Sequence, residues 1–497
     1  MASTAPRTSQ DRDPPSARRR WTVRDWSVRN ARMLETVYNG FARTLEGLAP
    51  IARAVPPKTL EAAFAATESR VKGVLFDCRM CGQCSLSATG LSCAMNCPKG
   101  LRNGPCGGVR EAGFCEVQPD MKCVWLDAWS GAQSMRGGDA IETALAPLDH
   151  RRVGRSSWMQ VIEGDAQAKT LASHRSAPKA PAQPAARAVE PPPAPGPLER
   201  SMRAGRFCVT AEFNPPDTAD PEAIYARAKP LIEVCDSVNV TDGAGANTHI
   251  SSIAVCALLA RQGYDPVMQV SCRDRNRIAI QGDVLGAAAL GIRNVLCLTG
   301  DGIGGGNQPE AKPVFDLDCT SLLATLSTLR DESRFMSGTA IERAPALFLG
   351  ATANPFAVPA EVEVPRLAKK IEAGARFFQT QFCFDIETFR AFFARFRDRG
   401  LHERCHFTVG VGPLASGRAA RWMRSSIAGI RIPDAVIDRL ERAADARREG
   451  RRICVEIVQQ LAEMPGLAGV HIMAFRQEDA VRGIIEDAGL RRLPATA

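Results

Sequence analysis

The chain has 497 residues, 45% of them apolar and 24% charged, and a net charge of +9. That length holds two or three domains, and that composition belongs to a globular chain, not a disordered or fibrous one. No run of about 18 uncharged apolar residues is present, and no apolar stretch follows the arginines of MASTAPRTSQDRDPPSARRRW, so neither a membrane helix nor a secretory leader is expected. A cytoplasmic protein with no membrane partner is the expectation.

Residues 1–20 read as a disordered basic arm. The first 70 residues carry 12 Lys/Arg against 7 Asp/Glu, including Arg18-Arg19-Arg20. Such a surface is solvated or attracts an acidic partner. No nucleic-acid module accompanies it, so nucleic acid is not an expected ligand.

Residues 21–165 read as a cysteine-rich domain. CRMCGQCSLSATGLSCAMNC opens at residue 78 and supplies Cys78, Cys81, Cys84, Cys93 and Cys97; Cys106, Cys115 and Cys123 complete eight cysteines in 46 residues. In a reducing compartment such clusters bind metal more often than they form disulfides. C-x₂-C-x₂-C followed by C-x₃-C-P echoes ferredoxin spacing, and eight thiolates suffice for two four-cysteine sites. An iron–sulfur cluster is the first reading, structural zinc the second, and plain thiols the third. The nine other cysteines are scattered, mostly in apolar strands and helices, and read as buried inert thiols. Cys272, at a predicted strand end, is the exception to watch.

Residues 166–199 read as a linker. Between 171 and 198, eight Pro and eight Ala fill 16 of 28 positions. At about 3 Å per residue such a stretch reaches at most roughly 80 Å.

Residues 200–492 read as one α/β domain. FCVTAEF (207–213), SVNVTD (237–242), PVMQVSC (266–272), NVLCLTGD (294–301), ALFLGAT (346–352), FFQTQFCF (377–384), HFTVGVG (406–412) and GVHIMAF (469–475) read as strands, each followed by helical sequence. Continuous apolar runs are the mark of strands buried on both faces. Eight even β-then-α units predict a (β/α)8 TIM barrel, with a doubly wound sheet as the alternative. In a barrel the active site gathers at the C-terminal strand ends. Those ends carry Glu212, Thr241-Asp242, Ser271-Cys272, Asp301, Thr352, Gln381 and the pair Gly410 and Gly412. Two carboxylates and an amide on one rim form a candidate catalytic set. The loop DGIGGGNQP (301–309) has neither a P-loop nor a Rossmann pattern, and its glycines suggest mobility or close passage by a ligand.

AEFNPP (211–216), NVTDGAG (239–245), LTGD (298–301), QTQFCFD (379–385) and GVGPL (410–414), in that order, resemble methylenetetrahydrofolate reductase. The likeness spans about residues 205–490. It implies reduction of 5,10-methylenetetrahydrofolate to 5-methyltetrahydrofolate through a flavin reduced by NAD(P)H, with FAD expected and FMN the alternative. It implies that Glu212 is the general acid, that Asp301 contacts the pterin and tunes the flavin, and that Gln381 binds the pterin. Thr241, Phe315, Asp318 and Lys370 fall where the family contacts flavin, as does Gly300 beside Asp301. Three flavin-side positions depart from the family: Thr299 replaces an arginine, Gln269 a histidine and Asn354 a tyrosine. Over about residues 60–160, CGQCSLSATGLSCAMNCPKGLRNGPCGG resembles the small cysteine-rich partner subunit of acetogenic reductases. That implies iron–sulfur clusters delivering electrons to the flavin. A folate substrate, a redox protein partner and a homo-oligomer are expected. Two rival readings are a folate barrel passing methyl groups to a corrinoid without flavin, and a non-catalytic docking protein.

Overall fold

In a computed structural model of the chain, residues 23–52, 56–110, 112–163, 195–475 and 477–491 are described. The basic arm over 1–20 lies outside them, as does all of the 166–199 linker before residue 195. The chain forms two compact units. One takes residues up to Arg102 and resumes at Lys122; the other takes Asn103–Met121 together with the C-terminal part. No helix among the described residues is long and apolar enough to cross a membrane.

The first unit contains helices α1 (Ala31–Ala52), α2 (Pro57–Phe76), α3 (Val124–Ser134) and α4 (Ser157–Glu163). The cysteine-bearing coil runs between α2 and α3. Pro57 opens α2, where a missing N–H costs nothing, and Asp77 ends it in the left-handed conformation. Phe76, Leu86 and Leu91 pack together, and Leu45, Trp158 and Ile162 form a second cluster. Between them lies a buried ion pair. Lys72 Nζ meets Glu68 Oε1 at 2.7 Å, and both side chains are nearly inaccessible. The same ammonium donates to Ser157 Oγ at 3.0 Å and to Cys84 Sγ at 3.4 Å. Glu68 accepts from Ser156 and Ser157. Every charge that α2 buries is therefore hydrogen-bonded, as burial demands.

The second unit is a closed barrel of eight parallel strands in sequential order. They are β1 (Cys208–Phe213), β2 (Ser237–Val240), β3 (Val267–Ser271), β4 (Asn294–Leu298), β5 (Phe348–Ala353), β6 (Phe377–Phe382), β7 (His406–Val411) and β8 (Gly469–Ile472). Because β1 pairs with both β2 and β8, the doubly wound alternative fails. All eight predicted strands are present.

A short helix, α5 (Pro197–Arg203), precedes β1 and closes the N-terminal end. Its Leu198 and Met202 pack with Cys208, Val267, Leu296, Phe348 and Phe377, residues from the starts of their strands. The Phe348 and Phe377 rings stack 4.8 Å apart, and a side chain at Gly350 would run into the Phe377 ring. Above this apolar floor the interior turns polar. Thr210 and His471 share a 2.9 Å hydrogen bond, and Asn239 Nδ2 donates to Gln379 Oε1 at 2.6 Å. Barrel interiors are dominated by branched apolar side chains, so this polar storey is a departure. Helices α6 (Pro221–Ile232), α7 (Ser252–Arg261), α8 (Arg277–Ala289), α9 (Cys319–Asp331), α10 (Glu363–Glu372) and α11 (Ile386–Asp398) follow β1 to β6. Three helices, α12 (Gly417–Ser426), α13 (Asp434–Arg442) and α14 (Ala446–Ala462), separate β7 from β8, and α15 (Ala480–Asp487) follows β8.

Candidate active site

Glu212 lies near the C-terminal end of β1 and pairs in register with Asn239. It shares a face with Thr210, two residues earlier, so it belongs to the interior side of the barrel mouth. Its Oε1 accepts from Asn214 Nδ2 at 3.4 Å, and Asn214 Oδ1 accepts from the Thr241 hydroxyl at 3.2 Å. Burial pushes the carboxyl above its ordinary pKa, and the Asn214 bond offsets part of that rise. The arrangement favours the protonated form of Glu212 more than a free carboxyl would, and Asn214, itself held by Thr241, orients the group.

Gln381 sits where the β6–β7 pairing slips, between Gln379 and Phe382. Such an irregularity re-aims a side chain at a barrel rim. The Thr380 hydroxyl repairs the ladder by accepting from Gly410 N at 2.8 Å. Gln381 Oε1 accepts from Phe382 N at 3.1 Å. Asp301 is exposed in the loop after β4. The rim thus carries all three predicted catalytic residues, on β1, in the loop after β4 and on β6. Asn214 is a partner that sequence reading passed over, although it stands inside AEFNPP.

The expected cofactor residues occupy the arc from β2 to β5. Thr241 follows β2, and Gln269 is nearly buried on β3. Thr299 Oγ1 accepts from Cys319 N at 3.3 Å. Gly300 has φ +93°, and a Cβ there would overlap Ser271 Oγ, so only glycine permits this close approach of the β3 and β4 ends. Phe315 has φ +43° and donates its N–H to Cys272 O at 3.1 Å. A left-handed phenylalanine costs of order 1 kcal/mol, a strain that clusters at ligand sites. Asn354 N donates to Glu363 Oε1 at 2.7 Å. Lys370 is buried, donates to Thr352 O at 2.6 Å, and has its pKa lowered by burial. Hydroxyls, amides, one ammonium and strained backbone on one arc fit a flat, oxygen-rich, phosphate-bearing group, and so fit a flavin.

Asp318, expected on the flavin side, has partners within the protein. Its carboxylate caps α9, accepting from Ser321 N at 2.8 Å, and also accepts from Asn103 N at 2.8 Å. It holds protein together. Asn103, Glu363 and Arg366 were not legible as site residues, because no local pattern links residue 103 to a helix start 215 residues away in sequence. In the loop 301–309 a Cβ on Gly306 would overlap Ala246 O, so that glycine serves close approach, whereas Gly304 and Gly305 stand in open space.

The cysteines require a correction. Cys78, Cys81, Cys84 and Cys93 line one small cavity with Met80 and Met95. Cys106 and Cys115 belong to the other unit, while Cys97 and Cys123 do not line the cavity. Among the described residues no three Cys, His, Asp or Glu are gathered as a metal ion would hold them. An iron–sulfur cluster is therefore not supported. Desolvation raises the Cys78 thiol to about 11 and the Cys93 thiol to about 12. The scattered cysteines are buried, except the partly exposed Cys235. Cys272 is among them, its thiol pushed far up by burial.

Comparison with known proteins supplies the family. Residues 197–489 match the family model "Methylenetetrahydrofolate reductase", and residues 58–151 match "Methylene-tetrahydrofolate reductase C terminal". A Caenorhabditis elegans protein named probable methylenetetrahydrofolate reductase (NADPH) is 26% identical over 252 residues, 50% of this chain and 35% of that one. The chain thus spans about a third of that relative's length. A 5,10-methylenetetrahydrofolate reductase of Pectobacterium carotovorum subsp. carotovorum is 24% identical over 296 residues, 58% of this chain and 92% of that one. Among solved structures, an uncharacterized Clostridium thermocellum protein that binds two copies of 5-methyl-5,6,7,8-tetrahydrofolic acid aligns with TM-score 0.43 and 15% identity, over 59% of this chain and 97% of its own. The chain belongs to the methylenetetrahydrofolate reductase family.

Proposed function

We infer that the protein is a flavin-dependent methylenetetrahydrofolate reductase, converting 5,10-methylenetetrahydrofolate to 5-methyltetrahydrofolate or catalysing the reverse oxidation. The observation that carries this reading is the Glu212 carboxyl at the end of β1, its pKa raised by burial and its oxygen held by Asn214, in a barrel of this family.

Glu212 donates its proton to the bridging nitrogen of the folate. The bond from that nitrogen to the one-carbon bridge breaks, leaving an iminium whose carbon is electrophilic. A flavin bound on the β2–β5 arc would supply hydride to that carbon, with electrons from NAD(P)H or a reduced protein partner. Asn214 and Thr241 hold the Glu212 carboxyl towards the substrate. Gln381, re-aimed by the β6 irregularity, offers an amide to the pterin edge, and Asp301 faces the same mouth. In the oxidative direction the Glu212 carboxylate takes the proton back, by microscopic reversibility. Family membership disfavours the corrinoid and docking alternatives.

The test is a visible spectrum of protein purified without air, together with equilibrium binding of FAD and of FMN. A bound flavin that NAD(P)H or a reduced redox protein bleaches supports the reading. A colourless protein that binds neither flavin refutes it.

A further inference from the structure

Residues 103–121 lie in the cysteine-rich half of the sequence, yet they belong to the barrel's own compact unit. Three contacts fix this segment to the rim. Asn103 N donates to Asp318 Oδ2 at 2.8 Å, and its side-chain Nδ2 approaches both carboxylate oxygens at 3.2 and 3.3 Å. Asn103 is 6% and Asp318 3% exposed, so these bonds form out of water, where hydrogen bonds to a charge are strong. Two residues on, Pro105 O accepts from Arg366 Nη1 at 2.9 Å. Arg366 grips Glu363 through Nε at 2.8 Å and Nη2 at 2.6 Å, and Glu363 Oε1 receives Asn354 N. An unbroken set of polar contacts therefore runs from Pro105 to the end of β5. Third, Val117 lies against the backbone of Gly302, where an added Cβ would stand 2.9 Å from Val117 Cγ2. Gly302 directly follows Asp301.

These anchors fall on the loop after β4, the first residues of α9 and the first turn of α10. That is the arc on which Gly300, Phe315, Asn354 and Lys370 stand. The Asp318 carboxylate, buried beside a site for a phosphate-bearing group, would repel it unless its charge were spread over donors. Asn103 supplies two such donors.

We propose that residues 103–110 and 112–117 are a wall of the barrel's cofactor site, with Asn103 and the Pro105 carbonyl acting as positioning groups for Asp318 and Arg366. The inference rests on the flavin reading above. It makes flavin affinity and flavin environment depend on a segment supplied from the cysteine-rich half of the chain.

The full-length protein is titrated separately with FAD and FMN, following flavin fluorescence, for the wild type, Asn103→Ala and Val117→Ala. Midpoint potentials of the bound flavin and thermal melts are measured alongside. Losing one charge-assisted hydrogen bond is expected to weaken flavin binding by about tenfold in Asn103→Ala, the equivalent of about 1.4 kcal/mol. The less compensated Asp318 carboxylate should also move the potential negative, because reduction adds electron density beside it. A folded Asn103→Ala with wild-type affinity and potential overturns the proposal. Should that variant not fold, Val117→Ala carries the same test: affinity within twofold of wild type overturns it, and weakened binding sustains it. A wild type that binds neither flavin refutes the flavin reading itself, and the wall with it.

Discussion

His471 makes the barrel acid-labile by an amount that can be worked out. Its imidazole is 2% exposed inside the barrel and shares a hydrogen bond with Thr210. Burial pushes its pKa from 6.5 down to about 3. The folded state therefore stays unprotonated there, while an unfolded chain takes up a proton below pH 6.5. A histidine with a lowered folded pKa contributes stability that is complete above the unfolded pKa and is lost as pH falls towards the folded one. At 1.36 kcal/mol per pH unit, acidifying to pH 5 should remove about 2 kcal/mol through this one group. The assay is urea unfolding of the full chain at pH 7.5, 6 and 5, for the wild type and His471→Gln. Glutamine keeps a polar partner for Thr210 but cannot titrate. His406, also lowered by burial, contributes to both proteins and cancels in the comparison. The wild type should lose about 2 kcal/mol more than the variant between pH 7.5 and 5. Identical pH slopes would refute the reasoning, because the imidazole would then titrate alike folded and unfolded.

Three further outcomes are expected. Asn214→Leu removes the donor that holds Glu212 down, so the pH at which folate reduction falls to half should rise by up to about one unit; a fall, or no change, in the pH–rate profile contradicts this. Gly350→Ala sets a methyl group into the Phe377 ring and should cost about 1–3 kcal/mol of stability in urea unfolding, whereas a neutral result would mean the floor of the barrel repacks freely. Lys72→Met leaves the buried Glu68 carboxylate without its cation and should destabilise the first unit by about 3–5 kcal/mol. Tryptophan fluorescence reports it, since Trp158 lies 5.1 Å from the ammonium. Unfolding at the wild-type urea concentration would contradict it.

The barrel was legible because each strand is a short apolar run bounded by turn residues, and that local signal survives in all eight. Glu212, Asp301 and Gln381 were legible for the same reason, since a strand's C-terminal end is a position that sequence marks directly. Contacts between distant segments were not. Asp318 falls at a flavin-contact position of the resemblance, but its partner Asn103 is separated from it by the whole linker. The polar storey of Thr210, Asn239, Gln379 and His471 was hidden because each residue is isolated within an apolar run and meets its partner only once the barrel closes. The cysteines misled in the opposite way. Their spacing is dense along the chain, and four of them, Cys78, Cys81, Cys84 and Cys93, do line one cavity, but Cys106 and Cys115 belong to the other unit.

The most direct measurement of the central claim is a single turnover at Glu212. Full-length protein carrying reduced flavin is mixed without air with 5,10-methylenetetrahydrofolate, and the return of the oxidised flavin band is followed. The wild type should reoxidise and release 5-methyltetrahydrofolate. Glu212→Gln should hold its flavin and fold yet reoxidise at least about 100-fold more slowly, the usual loss when a general acid is removed. A variant that reoxidises at the wild-type rate, or a wild type whose reduced flavin ignores the folate, would contradict it.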